Sequence, residues 1–123
     1  MTPIVRWHIE SQKVEVWDGD EHFLLHPYLE VEGIWSKADY EIKAKGYSLP
    51  TTAQLLAMHR NKREIDKVIL AHYGSMLKGD SWHWTRVRTD DYAYEVVYMH
   101  NGLCRTLHDT GKYIGRAVLD NYF

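Results

Sequence analysis

Histidine is the residue type with which this 123-residue chain could most readily do chemistry, because the sequence contains eight of them. His22 and His26 have the i, i+4 spacing that binds zinc when both residues lie on a helix. The adjacent Pro27 and the strand-like pattern around the pair deny them that geometry. His100 and His108 could face each other across a hairpin, but two ligands are fewer than a zinc site needs. The histidine pattern therefore predicts no bound metal, and no other motif predicts a cofactor.

The single cysteine is the other candidate for chemistry. Cys104 could act as a nucleophile if His100 or His108 lowered the pKa of its thiol. Its place on a predicted strand favours a half-buried structural role instead. Asp80 and residues 90–91 could form a carboxylate site, although aspartates in such positions more often form turns. Since the sequence also lacks nucleophile-elbow, phosphate-loop and dinucleotide-binding motifs, we predict that the protein is not an enzyme.

Charge and composition exclude several classes of protein. The chain has 15 Lys+Arg against 17 Asp+Glu, and this near balance argues against a nucleic-acid partner. One cysteine excludes an internal disulfide framework. The sequence shows neither the pattern of a signal peptide nor an apolar stretch that could span a membrane, so we expect no membrane insertion and a cytoplasmic or virion-associated protein. The basic run at residues 59–63 is interpreted as a solvated helix junction.

The aromatic residues are biased towards rings that carry a polar group, since five Trp and nine Tyr accompany two Phe. Such rings suit half-buried positions and contact surfaces. In the C-terminal third they occur with Arg, Asn and Asp, a mixture that resembles the contact surface of an antibody. We therefore predict a protein or glycan ligand, with an ordinary solvated face as the alternative. The candidate ligand-binding residues are Trp82, His83, Arg86, Arg88, Asp90, Asp91, Tyr92, His100, Asn101, Arg105, His108 and Tyr113.

Hydrophobic periodicity predicts the elements that must position these residues. Capping signals at Ser36, Thr51 and Asn61 predict up to three helices in the middle of the chain. Pro27 is expected at a sheet edge or at a bend. Alternating apolar residues predict strands over residues 4–10, 13–17, 23–25, 28–31, 84–88, 92–99, 103–107 and 113–119. This order of elements is typical of an α+β fold, with two to three helices packed on an antiparallel β-meander.

A set of motifs in fixed order resembles a known family. Residues 46–51 read Gly-Tyr-Ser-Leu-Pro-Thr and precede a predicted helix, a Trp-rich strand follows at residues 82–85, and an Arg-Ala-Val sequence lies in the last strand at residues 116–118. This arrangement resembles the Lcl C-terminal domain family, a C-type-lectin-like fold of bacterial surface proteins and some phage proteins. The match covers roughly residues 36–119. It implies that Trp84, Tyr94 and the nearby Tyr98 are core positions.

The resemblance also implies a function. The same scaffold is used by the variable proteins of diversity-generating retroelements, which bind ligands through exposed C-terminal residues, and by formylglycine-generating enzymes, which need paired cysteines. The lone Cys104 does not match the enzyme. The Pro-containing loop of calcium-dependent sugar binding is also absent, since the prolines are Pro3, Pro27 and Pro50. What the resemblance implies is a non-catalytic ligand- or receptor-recognition module of bacterial or phage origin.

We therefore predict an N-terminal β extension over residues 1–35 and a C-type-lectin-like domain over residues 36–123, forming one structural unit. The contact surface is expected at residues 80–92 and 100–113. The alternative is a virion or surface structural protein that self-associates through its N-terminal strands to form a homo-oligomer. In either case the N-terminal tryptophans, Trp7, Trp17 and Trp35, are expected to pack on the domain or on a partner.

Overall fold

A computed structural model describes residues 2–120 and 122–123, and within these residues it forms a mixed α/β fold with three helices and one seven-stranded sheet. The helices are α1 (Trp35–Ala44), α2 (Thr52–Arg60) and α3 (Lys62–Ala71). The strands are β1 (Ile4–His8), β2 (Lys13–Asp18), β3 (Glu21–Gly33), β4 (Trp82–Asp90), β5 (Ala93–Tyr98), β6 (Leu103–His108) and β7 (Tyr113–Leu119). The order of strands, helices and strands agrees with the prediction. In this part of the chain no helix is long and apolar enough to cross a bilayer.

The sheet joins the two ends of the chain. Its strand order is β1-β2-β3-β7-β4-β5-β6, and neighbouring strands are antiparallel except β4 and β7, which run parallel and pair at His83 and Ile114. The predicted meander is correct for β4 to β6 and wrong for β7. Strand β7 does not pair with β6 but lies between β3 and β4. Residues 1–35, predicted as an extension, thus supply three of the seven strands.

Alternation along the strands divides the core between the two faces of the sheet. On the first face, α2 and α3 cover residues such as Val14 and Phe23. On the second face, α1 packs on a cluster that includes Trp84, Val96 and Ala117. Because helices lie on both sides, β7 is buried at successive positions from residue 114 to residue 118.

The three N-terminal tryptophans pack inside the chain. Each stacks its ring on another aromatic side chain, so Trp7 and Trp35 pack on the predicted domain while Trp17 packs within residues 1–35. The stacked pairs are Trp7 with His72 (ring centroids 3.8 Å apart), Trp17 with His22 (4.3 Å) and Trp35 with Tyr94 (3.8 Å). Pro27, also in this region, lies where the pairing of β3 with β7 shifts register, between residues 25 and 30, as its predicted place at a bend requires.

The three predicted helix caps have different outcomes. Thr51 and Gln54 form a reciprocal capping box: the Thr51 hydroxyl accepts the Gln54 N–H at 3.1 Å, and the Gln54 side chain accepts the Thr51 N–H at 2.9 Å. The prediction for Ser36 is wrong, because α1 begins one residue earlier and its N-cap, Ile34, makes no side-chain bond. Asn61 occupies the N-cap of α3, but its amide donates to Asp18 and to a carbonyl of α2 instead.

We expect Thr51→Ala to lower the free energy of unfolding by about 1 kcal/mol, because it removes a cap from an N–H group of α2. Urea unfolding measures the change. Ser36→Ala is the matched control and should change the stability by less than about 0.5 kcal/mol, since Ser36 caps nothing. Equal losses in the two variants would contradict the assignment of the capping box.

Candidate functional site

The predicted contact residues do not form one surface, and the first group lies at the turn between β4 and β5. Asp90, Asp91 and Tyr92 are exposed there, and the Arg88 guanidinium donates to the Asp90 carbonyl at 2.9 Å and to the Asp91 carboxylate at 3.3 Å. His108 reaches the same place from the end of β6, with its ring parallel to that of Tyr92 and 6.1 Å away. These contacts are local to the turn, and they hold its shape.

The second group, His100 and Asn101, lies at the opposite end of the β5–β6 hairpin. The full length of β6 separates His100 from His108, so the expectation that the two histidines face each other is wrong. Cys104, predicted to be half-buried, is exposed on β6. The pKa of its thiol is raised, by desolvation first and then by the charge of Glu95, which disfavours the nucleophilic thiolate.

Two of the predicted contact residues are used inside the fold. His83 is fully buried, and its Nδ1 donates to the Ser81 carbonyl at 3.0 Å. Burial lowers the pKa of His83 to about 4. Arg86 donates to the Leu49 carbonyl at 2.7 Å and to the Asp120 carboxylate at 2.8 Å. The prediction that His83 contacts a ligand is therefore wrong, because its side chain lies on the first face of the sheet and is buried there.

The third group contains aromatic rings on the second face. Trp84 is fully buried, as predicted, and it packs edge-on against Tyr113 with ring centroids 5.0 Å apart. Trp82 and Tyr98 lie beside them, with centroids 5.0 Å apart. Tyr94 and Tyr98, which the resemblance placed in the core, are half-buried. Two predicted contact residues, Trp82 and Tyr113, thus stand partly exposed at the edge of a row of rings.

These two rings line a cleft where β3 ends and where β4 and β7 begin. The cleft has a volume of about 210 Å³. A second hollow of about 500 Å³ adjoins it, since Glu32 and Lys112 line both. We call the first hollow the aromatic cleft, and its lining residues are Glu32, Ser81, Trp82, Lys112, Tyr113 and Ile114.

The aromatic cleft carries one acidic and one basic side chain that are available to a ligand. In the part of the chain that the structure describes, neither the Glu32 carboxylate nor the Lys112 ammonium lies within 4.0 Å of an oppositely charged group. Both side chains are exposed. The nearby Lys37 ammonium donates to the Glu32 backbone carbonyl at 3.4 Å and leaves the carboxylate free. The cleft therefore offers an acceptor and a donor beside two aromatic walls.

Sequence reasoning found the rings of this cleft but missed Glu32, Lys112 and Ser81. The aromatic bias identified Trp82 and Tyr113 by residue type. Glu32 comes close to them because β3 pairs with β7, a pairing between residues about eighty positions apart. No local pattern marks that pairing, so composition and periodicity could not have placed Glu32 here.

Arg105 lies outside all three groups. It is exposed on β6, and its guanidinium donates to the adjacent Cys104 carbonyl at 3.3 Å. A shallow hollow of about 260 Å³ lies beside it, with Glu95 and Thr106 in its wall. Arg105 is thus separate from the aromatic cleft.

No family model matches the chain, and no curated protein matches it.

Proposed function

We propose that the protein is a non-catalytic recognition module that binds a glycan, with one sugar ring in the aromatic cleft. The observation that carries the proposal is the meeting of two half-exposed rings, Trp82 and Tyr113, with the unpaired charges of Glu32 and Lys112. A C-type-lectin-like assignment of the fold, which rests on the motif order at residues 46–51, 82–85 and 116–118, is part of the same proposal.

The dimensions of the cleft favour a single polar ring. Its volume of about 210 Å³ is below the range of about 300–1,000 Å³ that drug-sized ligands occupy. A sugar ring has an apolar face of C–H groups that packs on aromatic rings, and a rim of hydroxyls that both donate and accept hydrogen bonds. Carboxylate and ammonium groups form charge-assisted bonds with such hydroxyls. The adjoining hollow of about 500 Å³ leaves space for the next sugar of a chain.

A protein ligand fits the geometry less well. A stable protein interface covers about 800 Å² on each partner and centres on a cluster of anchoring side chains. The predicted contact residues are instead divided among the β4–β5 turn, the end of the β5–β6 hairpin and the aromatic cleft. A concave polar cleft with aromatic walls is better matched to a small ring than to a flat surface.

The alternative function, self-association through the N-terminal strands, is left with one strand edge. Within the described residues β2 pairs with β1 and β3, and β3 pairs with β2 and β7, so the outer edge of β1 is the part of these strands that a second copy could still pair with. Light scattering of the intact chain tests this alternative, and a monomer would count against it.

Trp82→Ala is expected to weaken glycan binding at least about tenfold, because it removes one aromatic wall of the cleft. The measurement has two steps: a glycan array screen with the intact chain, followed by calorimetric titration of the best-bound glycan. Tyr113→Ala should give a loss of similar size. Near-ultraviolet circular dichroism of each variant verifies that the fold persists.

Tyr92→Ala is the matched control for these variants. Tyr92 is an exposed ring of the β4–β5 turn and lies outside the cleft, so its removal should change the affinity by less than about twofold. If Tyr92→Ala weakened binding as much as Trp82→Ala does, the β4–β5 turn would be the contact surface and the cleft assignment would be wrong. Absence of any glycan ligand on the array would contradict the proposed function itself.

A further inference from the structure

A further concave surface shares no lining residue with the aromatic cleft. It has a volume of about 570 Å³, within the range that small organic ligands occupy. Its walls come from the end of α2, from α3, from the segment before β4 and from the β5–β6 loop. We call it the basic groove, since the charged or titratable residues in its lining are His59, Lys62, Arg63, Asp66, Lys67 and His100.

Positive charge is in excess in the basic groove. Three cations of α3 face one carboxylate, although the whole chain carries a formal net charge of −2. The carboxylate, Asp66, is already occupied, because it accepts the Lys62 ammonium at 2.5 Å and the Leu77 N–H at 3.0 Å. Glu64, beside the groove, lies 3.9 Å from the Lys67 ammonium and is exposed to solvent, so it screens that charge weakly.

Arg63 is the cation that the protein leaves available. Its guanidinium takes part in no hydrogen bond or ion pair among the described residues, and the side chain is exposed. Arg60, three residues earlier, is in contrast committed to Asp18 at 2.9 Å, on the other side of the helix junction. The basic run at residues 59–63, interpreted from sequence as a solvated junction, therefore divides into a partly exposed ion pair and a cationic wall.

One glycine lines the groove, and a second packs against the His59 ring in its wall. A Cβ atom at Gly79 would lie 3.3 Å from Cε of Lys62, and one at Gly102 would lie 2.8 Å from the His59 ring. Gly102 also has a φ of +73°, which other residues adopt at a cost. The His59 ring is fixed in this wall by its Nδ1, which donates to the Met99 carbonyl at 2.6 Å. A side chain at Gly79 would enter space that the groove now provides, and a side chain at Gly102 would displace the His59 ring.

We propose that the basic groove binds a phosphorylated small molecule, with the phosphate at Arg63 and Lys67 and the organic part against Leu70. Arginine and lysine are the side chains that recognise phosphate, arginine through paired hydrogen bonds and lysine as a point charge. Leu70 is 55% exposed and supplies an apolar wall beside the charges. A free phosphate ion would use the cations but leave that apolar wall unused.

The test is a nuclear magnetic resonance titration of the intact chain with inorganic phosphate and, separately, with phenyl phosphate. We expect amide shifts at residues 62–67 and at Gly79, and an affinity for phenyl phosphate at least about threefold higher than for inorganic phosphate. The double variant Arg63→Gln, Lys67→Gln should weaken phenyl phosphate binding about tenfold or more. Lys43→Gln is the control, because it removes an exposed charge from α1, which contributes no residue to the groove. It should change the affinity by less than about twofold.

The remaining outcomes overturn the proposal. Equal affinities for the two compounds would assign the groove to a free anion. Because the double variant removes two charges and Lys43→Gln removes one, a loss of binding free energy in Lys43→Gln that is half the loss in the double variant would attribute the effect to overall charge. Absence of shifts at about 20 mM of either compound would remove the site. Because the two sites share no lining residue, Trp82→Ala should leave phenyl phosphate binding unchanged, so failure of the glycan proposal and failure of this one can be told apart.

Discussion

Replacing Arg116 with methionine is expected to lower the free energy of unfolding by about 3–5 kcal/mol, the size of effect typical when a buried charged group with polar partners is removed. Arg116 lies on β7 and its side chain is fully buried. Desolvation lowers the pKa of its guanidinium, although the charge of Glu30 opposes this effect. In the variant the Glu30 carboxylate, 3.6 Å away, would lose one of its charge partners, and several backbone carbonyls would lose a donor.

The loss is large because one side chain holds two distant segments together. The Arg116 Nη2 donates to the Pro27 carbonyl at 2.7 Å and to the Ser75 carbonyl at 2.7 Å. Pro27 lies in the irregular part of β3, and Ser75 lies in the segment between α3 and β4. Methionine fills a similar volume but offers no donor, so the Ser75 carbonyl loses its Arg116 donor and the Pro27 carbonyl keeps only the Ser75 N–H.

Urea unfolding measures the stability, and amide hydrogen exchange locates the change. Exchange at the Ser75 N–H, which donates to the Pro27 carbonyl at 2.9 Å, should accelerate more than exchange in β5. Arg105→Met is the matched control, since Arg105 is an exposed arginine on β6 and its replacement should change the stability by less than about 0.5 kcal/mol. A loss below about 1 kcal/mol in Arg116→Met would contradict the assigned role.

Acid is expected to destabilise the protein between pH 6.5 and pH 4.5, before its carboxylates are protonated. Burial lowers the pKa of His83 from 6.5 to about 4, and burial likewise lowers the pKa of His26 to about 4. As the pH falls below 6.5, these two histidines become protonated in the unfolded chain but stay neutral in the folded chain. The free energy of unfolding that they contribute is therefore complete above pH 6.5 and is lost as the pH falls towards 4. For His83 alone this loss amounts to about 2 kcal/mol at pH 4.5.

The charges around His83 act in opposing directions. Glu30 favours the protonated ring, while Arg116 and Lys78 disfavour it, and desolvation exceeds each of them. The folded-state carboxylates with a lowered pKa, such as Glu15, titrate from ordinary values of 4.5 or less, so their stabilisation is lost below this window. The interval from pH 6.5 to pH 4.5 thus isolates the buried histidines.

His83→Gln should flatten the pH dependence in this interval, because it removes one of the two titrating rings. Urea unfolding at a series of pH values gives the slope for the variant and for the parent chain, and above pH 7 the two curves should run parallel. A parent chain whose stability is the same at pH 6.5 and at pH 4.5 would contradict the assignment of both histidines as neutral buried groups.

Local patterns predicted the elements well where a short segment carries its own signal. The capping box at Thr51 is confirmed because its two partners are three residues apart, and Trp84, which the family resemblance implied to be a core position, is fully buried on a strand whose side chains alternate between the two faces. The same alternation puts His83 on the opposite face, but the sequence does not say whether that face is covered. In the structure helices α2 and α3 cover that face, so His83, a predicted contact residue, is buried.

The sequence alone determined that helices occupy the middle of the chain, that strands precede and follow them, and which residue types could build a contact site, because periodicity and capping act over a few neighbouring residues. Only the tertiary structure decided that β7 pairs with β3, which makes residues 1–35 part of the sheet and brings Glu32 to the cleft of Trp82 and Tyr113. Strand pairing between distant segments depends on how whole faces are covered, and no short segment encodes that information.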